Sequence, residues 1–467
     1  MGYLGQTMMK GAIEDITKAV GNTPIVRLNK VTAGLDCEIY VKCEYLNPGG
    51  SVKDRMAMHI LAKAVQTGQL KQGGTIVENT SGNTGAGIAL WAAVNGFRCV
   101  FTIPDKMSTE KVNTLKAMGA EVVVTPTNVP ADSPDSYYET AKRIARETPG
   151  SFYLNQYHNK LNIEAHYRST GPEIWEDTEG KIDVFVAGIG TGGTMSGAGK
   201  YLKEKNPKVQ NVAADPVGSV FHSLFKTGQM SKPHVYKVEG IGEDMICGAL
   251  DMSVIDDIRQ IDDKQSFVAA RKLARQEGLF AGGSSGAAVH VAVQVAKELG
   301  KGKTVVVVLP DGGKSYISKF YSDEWMIDNG FMARPETFGT VADVLAGKAD
   351  QTLLTASTGM GVGQAIATLK ERSFSQMPVV DAAGRPVGML HELDLLDALL
   401  EGRATKQSPV ETVMQPLNGV ILSTAPVSKL HDILAQGLVA VVRDGDKLTG
   451  LLTKIDLIDY ISKRTAA

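Results

Sequence analysis

The sequence has few cysteines and no excess of charge of either sign. Its four cysteines, Cys37, Cys43, Cys99 and Cys247, lack the paired spacing of a zinc site and are few for a disulfide scaffold. The 49 basic and 51 acidic residues give a net charge of −2, which leaves no large basic surface for nucleic acid. We therefore predict a reduced, cytoplasmic protein that binds no nucleic acid and no metal.

Long apolar runs are also missing from the sequence. No segment reaches the ~18 consecutive apolar residues of a membrane-spanning helix, so no membrane association is predicted. The first fifteen residues, MGYLGQTMMKGAIED, lack the apolar core of a signal peptide. The hydrophobic fraction of 43% and the charged fraction of 21% are ordinary for a globular protein.

The first two-thirds of the chain alternate strand-like and helix-like segments. Uniformly apolar runs such as TIVEN (75–79), RCVFTIP (98–104), IDVFVAG (182–188) and KTVVVVLP (303–310) are separated by helix-like runs. Strands this apolar are usually buried on both faces and are therefore parallel. The pattern predicts a layered α/β fold.

The last third of the chain contains a tandem repeat. Residues 377–400 align without a gap with residues 439–462, and each copy reads as strand, polar turn, strand and helix. Two copies of a ~60-residue unit indicate a paired module rather than a solenoid. We predict a catalytic domain at 1–328, a linker at 329–343, a first repeat at 344–402 and a second repeat at 403–467.

The loop Gly188–Thr194 (GIGTGGT) lies between a predicted strand and a predicted helix. Free N–H groups at a helix N-terminus carry partial positive charge, and glycines let the backbone close on an anion. Thr191 and Thr194 add hydroxyl donors. A phosphate site is the favoured interpretation, and a tight turn without a ligand is the alternative.

Two further loops place short polar side chains at predicted helix starts. The loop Thr80–Gly85 (TSGNTG) sets hydroxyl and amide groups beside free N–H groups, which suits a substrate carboxylate. The loop Gly282–Gly286 (GGSSG) carries Ser284, which can donate to a ring nitrogen. Both sets of residues are also common helix caps, which is the structural alternative.

A lysine, Lys53, follows two glycines in the stretch NPGGSVKDR (47–55). A phosphate cradle, a carboxylate cradle, a lysine in a mobile setting and a serine at a helix start together predict a pyridoxal-phosphate enzyme. This cofactor attaches to a lysine amine and acts as an electron sink. A solvated surface lysine is the alternative interpretation.

The phosphate loop also permits a different hypothesis. Gly188, Gly190 and Gly193 spell G-x-G-x-x-G, and Asp215 ends the next strand-like run at about the distance of a ribose-binding acid. A dinucleotide-dependent oxidoreductase would follow. The fingerprint usually marks the first strand of its domain, however, and here it comes after several strand–helix units.

The loops occur in an order that matches a known family. GGSVKDR, TSGNTG, GTGGT and GGSSG, with VGNTPIVRLNK (20–30), resemble the tryptophan-synthase-β-like, fold type II pyridoxal-phosphate family. The resemblance implies two layered α/β subdomains, followed by a C-terminal tandem regulatory module of the Bateman type. EGIGED (239–244), LPDGGKSYISKFYSDEWM (309–326) and the tandem repeat favour the branch that joins serine to homocysteine.

The resemblance also implies roles for individual residues. Lys53 forms the Schiff base with the cofactor, Asn83 binds its ring hydroxyl, and Ser284 faces its pyridine nitrogen. The phosphate is held by Gly190, Thr191, Gly192, Gly193 and Thr194. The substrate carboxylate is held by Ser81, Gly82, Thr84 and Gln156, with Tyr157 nearby. The entrance is lined by Gly240, Ile241 and Gly242, and Glu243 is expected to contact the amino group of a second substrate.

The activity implied by the resemblance is a β-replacement. Lys53 removes the α-proton of L-serine, the β-hydroxyl leaves as water, and the sulfur of L-homocysteine adds to give L-cystathionine. L-Cysteine as first substrate would release hydrogen sulfide. A rival within the family makes cysteine from O-acetylserine and sulfide. A ligand sensor with a silent catalytic half is disfavoured because Lys53 and Asn83 are intact.

Two further expectations concern the first residues of the chain and the second repeat. No cysteine or histidine precedes Cys37, so the haem segment of the animal members is not expected here. In the second repeat, Thr453 and Asp456 form the hydroxyl–x–x–Asp motif that binds S-adenosylmethionine or an adenine nucleotide in such modules, whereas His391 replaces the hydroxyl in the first repeat. A module that only gates or stabilises oligomers is the alternative. A homodimer or higher homo-oligomer is expected.

Overall fold

The computed structural model describes residues 9–130, 132–332, 338–348 and 352–465. They divide into two compact units, the first of which ends at Met332. Part of the predicted linker, residues 333–337, lies outside the described residues, as do the first eight residues of the predicted catalytic domain. Within the described ranges, no helix is both long and apolar enough to span a membrane.

The first unit contains two sheets. One has six strands in the order β1-β2-β10-β7-β8-β9, and the other has four strands in the order β5-β4-β3-β6. The strands are β1 (Ile25–Arg27), β2 (Glu38–Cys43), β3 (Thr75–Asn79), β4 (Arg98–Pro104), β5 (Glu121–Thr125), β6 (Ser151–Tyr153), β7 (Val184–Gly188), β8 (Gln210–Pro216), β9 (Asp257–Ile261) and β10 (Thr304–Leu309).

The predicted parallel arrangement is confirmed for these sheets. Every described strand pair in them is parallel except β1 with β2 at one edge. The central strands β3, β7 and β10 are buried along almost their whole length, as their apolar composition requires. The four cysteines are buried and unpaired.

Helices connect the strands of the first unit. They are α1 (Lys53–Gln66), α2 (Asn83–Asn95), α3 (Thr109–Ala117), α4 (Tyr137–Glu147), α5 (Leu161–Arg168), α6 (Thr170–Asp177), α7 (Gly193–Lys205), α8 (Phe221–Thr227), α9 (Asp263–Lys272), α10 (Gly283–Glu298) and α11 (Asp323–Asp328). The layered α/β fold is therefore confirmed. The loops after β3, β7 and β10 leave the carboxyl ends of their strands, which is where open parallel sheets bind ligands.

The second unit contains the tandem repeat, with one three-stranded sheet in each copy. Each sheet joins one parallel and one antiparallel pair of strands. Its elements are α12 (Val341–Ala346), β11 (Ala356–Ser357), α13 (Val362–Arg372), β12 (Gln376–Val380), β13 (Pro386–His391), α14 (Glu392–Leu400), β14 (Val420–Leu422), α15 (Val427–Ala435), β15 (Ala440–Asp444), β16 (Lys447–Leu452) and α16 (Lys454–Thr465).

The two repeats exchange their leading segments. Val341 and Val344 of α12 are buried in the core of the second repeat, together with Leu430 and Ala440. Conversely, Val410, which precedes the second sheet, is buried in the core of the first repeat. Each copy is therefore completed by a segment that lies next to the other copy in sequence.

Candidate active site

A cavity of about 420 Å³ lies at the two sheets of the first unit. Loops from both sheets supply its walls. It brings together most of the residues that were singled out from the sequence: Lys53, Ser81, Asn83, Gln156, Tyr157, Gly190, Thr191, Gly240, Ile241, Gly242, Glu243 and Ser284. An adjoining smaller cavity is lined by Lys53 and by the whole loop from Gly190 to Thr194.

Lys53 is the first residue of α1, and a tight turn presents it to the cavity. Gly50 has φ +85°, which favours glycine, and a Cβ on Gly49 would overlap the carboxylate of Asp54. The backbone N–H of Lys53 donates to the Ser51 hydroxyl at 3.2 Å. The two glycines therefore allow the turn that starts the helix at the lysine.

The amine of Lys53 has a lowered pKa. Burial lowers it most, and the charge of Lys111 acts in the same direction. The carboxylates of Asp311 and Glu243 oppose the shift but do not cancel it. A lysine in this setting loses its proton more readily than a surface lysine, so it is suited to act as a nucleophile and a base.

The loop Gly190–Thr194 fits a phosphate group. It joins β7 to the N-terminus of α7, where backbone N–H groups are free. Gly192 has φ +90°, and a Cβ on Gly190 would approach the carbonyl oxygen of Gly240 to 2.7 Å. A side chain at Gly190 would collide with the backbone of Gly240 and one at Gly192 with Leu250, so this tight turn requires glycine.

A buried histidine, which the sequence did not single out, holds Thr194. His166 places Nε2 3.2 Å from the Thr194 hydroxyl and Nδ1 2.9 Å from the Thr170 hydroxyl. Burial, assisted by the charge of Lys53, lowers the pKa of His166 well below its usual value, so the ring is neutral. When Nε2 carries the ring proton, Thr194 accepts that bond and keeps its own hydroxyl proton for an anion.

Of the residues predicted to bind the substrate carboxylate, some line the cavity and the others lie behind its wall. Ser81 and Gln156 line the cavity, whereas Gly82 and Thr84 are not among its lining residues. The Thr84 hydroxyl donates to Gln156 Oε1 at 2.7 Å. Buried Glu78 accepts the backbone N–H of Gln156 at 3.1 Å and so fixes the turn that carries this side chain.

Asp311 organises the opposite wall of the cavity, and sequence reasoning assigned it no role. Its Oδ2 accepts Asn83 Nδ2 at 2.8 Å and the Tyr316 hydroxyl at 2.5 Å. Its Oδ1 is buried and has no hydrogen-bond partner among the described residues. Asp311 therefore orients Asn83 toward the cavity. Ser284, at the start of α10, is buried and lines the same cavity.

A buried charge network continues from Tyr316. Lys111 Nζ donates to the Tyr316 hydroxyl at 2.9 Å and to Glu239 Oε2 at 2.8 Å, and Lys319 Nζ donates to Glu239 Oε1 at 2.6 Å. Burial alone would raise the pKa of Glu239, but the charges of Lys111 and Lys319 outweigh it and the pKa is lowered. The network anchors the chain immediately before Gly240.

Glu243 lies among tyrosines on the outer side of the cavity. The Tyr138 hydroxyl donates to Glu243 Oε2 at 3.2 Å, and the hydroxyls of Tyr137 and Tyr157 are 2.8 Å apart. Burial, followed by the charge of Asp244, raises the pKa of Glu243 to about 8. A cationic group bound here would stabilise the ionised carboxylate.

The structure does not place Asp215 where a ribose-binding acid of a dinucleotide site would lie. Oδ2 of Asp215 accepts the backbone N–H of His222 at 2.9 Å. Asp215 is buried in β8 and is not among the residues that line either cavity. The G-x-G-x-x-G loop therefore faces Lys53 without a ribose-binding carboxylate beside it.

The motif in the second repeat caps a helix. Asp456 Oδ2 accepts both the backbone N–H and the hydroxyl of Thr453 at 2.7 Å, at the start of α16. Lys348 Nζ also lies 3.3 Å from the same oxygen. In the first repeat, His391 Nδ1 lies 2.8 Å from Asp394 Oδ2. The carboxylates of both repeats thus have internal partners.

Both units of the chain are similar to known protein families. A family model described as pyridoxal-phosphate dependent enzyme matches residues 16–311, and a CBS domain model matches residues 341–401 and 410–463. The chain is 43% identical over 438 residues to cystathionine beta-synthase of Mus musculus, which covers 92% of this chain and 77% of the mouse chain. It is 38% identical over 467 residues to cystathionine beta-synthase of Dictyostelium discoideum. That match covers 97% of this chain and 93% of the Dictyostelium chain.

Two other similar proteins match about two-thirds of the chain. Cysteine synthase of Staphylococcus aureus is 45% identical over 312 residues, which covers 67% of this chain and 97% of that protein. A crystal structure of O-acetylserine dependent cystathionine beta-synthase from Helicobacter pylori matches with a TM-score of 0.62 and 35% identity. That match covers 66% of this chain and 98% of the other.

Proposed function

The chain belongs to the pyridoxal-phosphate dependent enzymes of fold type II and, within them, to the cystathionine β-synthase family, and we propose that it condenses L-serine with L-homocysteine to give L-cystathionine and water. The observation that carries the proposal is the meeting of Lys53, the loop Gly190–Thr194 and Glu243 at one cavity and the smaller cavity that adjoins it. When bound, pyridoxal phosphate supplies an electron-withdrawing ring that eases loss of the substrate's α-proton.

The chain's own residues divide the remaining tasks. The loop Gly190–Thr194 binds the phosphate, Asn83 holds the ring hydroxyl under the control of Asp311, and Ser284 offers a neutral hydroxyl to the ring nitrogen. Lys53 attaches the cofactor, takes the α-proton on Nζ and returns a proton to the β-hydroxyl that leaves as water. Its lowered pKa suits both proton transfers.

The substrates occupy the remaining walls of the cavity. Ser81 and Gln156 bind the carboxylate of the first substrate, with Thr84 holding Gln156 from behind and Gly82 supplying the turn. Tyr157 lies beside this site. Glu243 binds the amino group of the second substrate, and the turn Gly240–Gly242 lines the entrance.

Both substrates distinguish this proposal from its rival, which uses O-acetylserine and sulfide. The similar Helicobacter pylori protein is an O-acetylserine dependent cystathionine beta-synthase, and Staphylococcus aureus cysteine synthase matches a similar share of this chain. Glu243 favours an amino acid as second substrate, because sulfide has no amino group for a carboxylate to bind.

A substrate panel tests the proposal. We expect cystathionine from serine and homocysteine at a rate at least about 10-fold above cysteine formation from O-acetylserine and sulfide, and hydrogen sulfide from cysteine and homocysteine. Product mass identifies each reaction. Cysteine as the sole product, formed only from O-acetylserine and sulfide, would show that the chain is a cysteine synthase.

Three properties complete the proposal. We expect a cytoplasmic protein, because its cysteines are free and buried. We expect a homodimer or a higher homo-oligomer, which light scattering measures. We expect the absorption spectrum of the purified enzyme to contain the pyridoxal-phosphate band and no haem Soret band.

The second unit is proposed to bind S-adenosylmethionine or an adenine nucleotide at Thr453 and Asp456. Asp456→Asn keeps a cap acceptor but removes the charge that binds ribose hydroxyls and Lys348. Calorimetric titration should show binding to the wild type and at least about 10-fold weaker binding to this variant. Asp394→Asn, the matched change in the first repeat, should bind like the wild type. Absence of heat and of any shift in melting temperature would contradict ligand binding and leave the alternative, a module that only gates or stabilises oligomers.

A further inference from the structure

Lys106 is a cationic side chain at the active-site cavity that the proposed reaction has not yet used. It follows β4 and lines the cavity with an exposed side chain. Its backbone is held on both sides, since its N–H donates to the Thr127 hydroxyl at 3.2 Å and its carbonyl accepts Lys319 Nζ at 2.8 Å. Within the described part of the chain its ammonium forms no ion pair.

The charged groups of the cavity differ in whether they are paired. Of the described lysines that line it, Lys53 faces the phosphate loop, and Lys106 is the second. Among the acids, Glu239 is held by two lysines, whereas Glu243 has tyrosine hydroxyls as partners and neither Glu243 nor Asp244 forms an ion pair within the described residues. Apart from Lys53, one lysine without an ion pair and two carboxylates without one, Glu243 and Asp244, therefore remain among the described residues that line the cavity, and Glu243 is the one that contacts a tyrosine hydroxyl.

Tyr236 connects these two groups. The Lys106 ammonium lies 5.8 Å from the centre of the Tyr236 ring. The Tyr236 hydroxyl lies 2.6 Å from the position that a Cβ on Gly242 would take, and Gly242 directly precedes Glu243. Lys106 and the backbone that carries Glu243 thus both lie beside the Tyr236 side chain. An amino acid carries a carboxylate and an ammonium on the same carbon, so both of its charges can be met at this wall.

We propose that Lys106 binds the α-carboxylate of the second amino-acid substrate while Glu243 binds its α-amino group. This inference rests on the proposed function, because it applies only if the second substrate is an amino acid. It makes Lys106 a specificity residue: it distinguishes homocysteine from thiols that lack a carboxylate, and it has no part in the chemistry at the first substrate.

The test compares Lys106→Met with the wild-type holoenzyme in cystathionine formation. The KM for homocysteine should rise about 10- to 100-fold, the loss expected for one charged hydrogen-bonding partner, while the KM for serine stays within twofold of the wild-type value. Lys106→Arg should recover most of the loss. Lys116→Met, an exposed lysine on α3 outside the cavity, is the matched control and should leave both constants unchanged.

A thiol analogue isolates the contact. 3-Mercaptopropylamine is homocysteine without its carboxylate, so it should react equally poorly with the wild type and with Lys106→Met. An equal loss with both thiols, or an unchanged KM for homocysteine, would overturn the role of Lys106. His234 also lines the cavity, and a loss confined to His234→Gln would transfer the role to that residue. A wild type that forms no cystathionine would overturn the proposed function itself.

Discussion

Replacing Lys53 with alanine should reduce cystathionine formation by about 10⁴-fold or more. The variant loses both the attachment point of the cofactor and the group that moves the α-proton, and proton transfer alone contributes about 10²–10⁴-fold. Among the described residues, the other lysine lining the cavity is Lys106, which we propose to bind the second substrate. The measurement is product formation from serine and homocysteine under saturating cofactor.

Two variants separate chemistry from charge. Lys53→Arg keeps a cation at the start of α1, but a guanidinium does not release its proton, so it should be as inactive as the alanine variant. Lys63→Ala removes an exposed lysine from the same helix and should keep full activity. Borohydride should fix the cofactor to the peptide that contains Lys53 in the wild type. Retention of more than about a tenth of the activity by Lys53→Ala would contradict the assignment.

Replacing Arg55 with methionine should destabilise the first unit by about 3–5 kcal/mol. The Arg55 side chain is 2% exposed and donates to Glu44, which is fully buried, and to Glu173. Without the guanidinium, buried Glu44 keeps only neutral donors, and partly buried Glu173 keeps Lys42 as its cationic partner. The measurement is the free energy of unfolding from urea titration.

The matched control is Arg168→Met. Arg168 pairs with Glu164 one turn away on α5, but its side chain is 66% exposed. An exposed pair of this kind contributes less than about 1 kcal/mol. Equal losses from both variants would show that burial does not determine the contribution of Arg55.

The same cluster sets an acid limit for stability. Burial would raise the pKa of Glu173, but the hydrogen bonds and charge of Arg55 outweigh it and lower the pKa to about 2, from 4.5 in the unfolded chain. The stabilisation is therefore complete above pH 4.5 and is lost as the pH falls toward 2. In Arg55→Met the pKa of Glu173 moves up, so this part of the acid dependence should shrink.

Local sequence signals predicted the elements of the site correctly. Glycines and hydroxyl side chains at Gly188–Thr194 and Thr80–Gly85 mark turns between a buried strand and a helix, and the structure places both turns there. The glycines are needed for local reasons, namely a positive φ at Gly192 and a close approach at Gly190. Such requirements can be recognised within a few residues of sequence.

The supporting residues could not be predicted in the same way. Asn83 and Asp311 are hydrogen-bonded but 228 residues apart in sequence, and Lys111 and Tyr316 are 205 residues apart. His166 likewise has no neighbouring sequence pattern that links it to Thr194. Each of these side chains acquires its role only from the partner that folding brings to it.

By itself, the sequence determined the alternating strands and helices, the glycine turns, the lysine at a helix start and the tandem repeat. Each of these features depends on the composition and spacing of residues that are neighbours in the sequence. Only the tertiary structure decided that Asp311 orients Asn83, that Arg55 neutralises Glu44 and Glu173, and that the two repeats exchange α12 and Val410. The physical reason is that burial and electrostatic pairing depend on distance in space, and the residues concerned meet only when distant segments pack together.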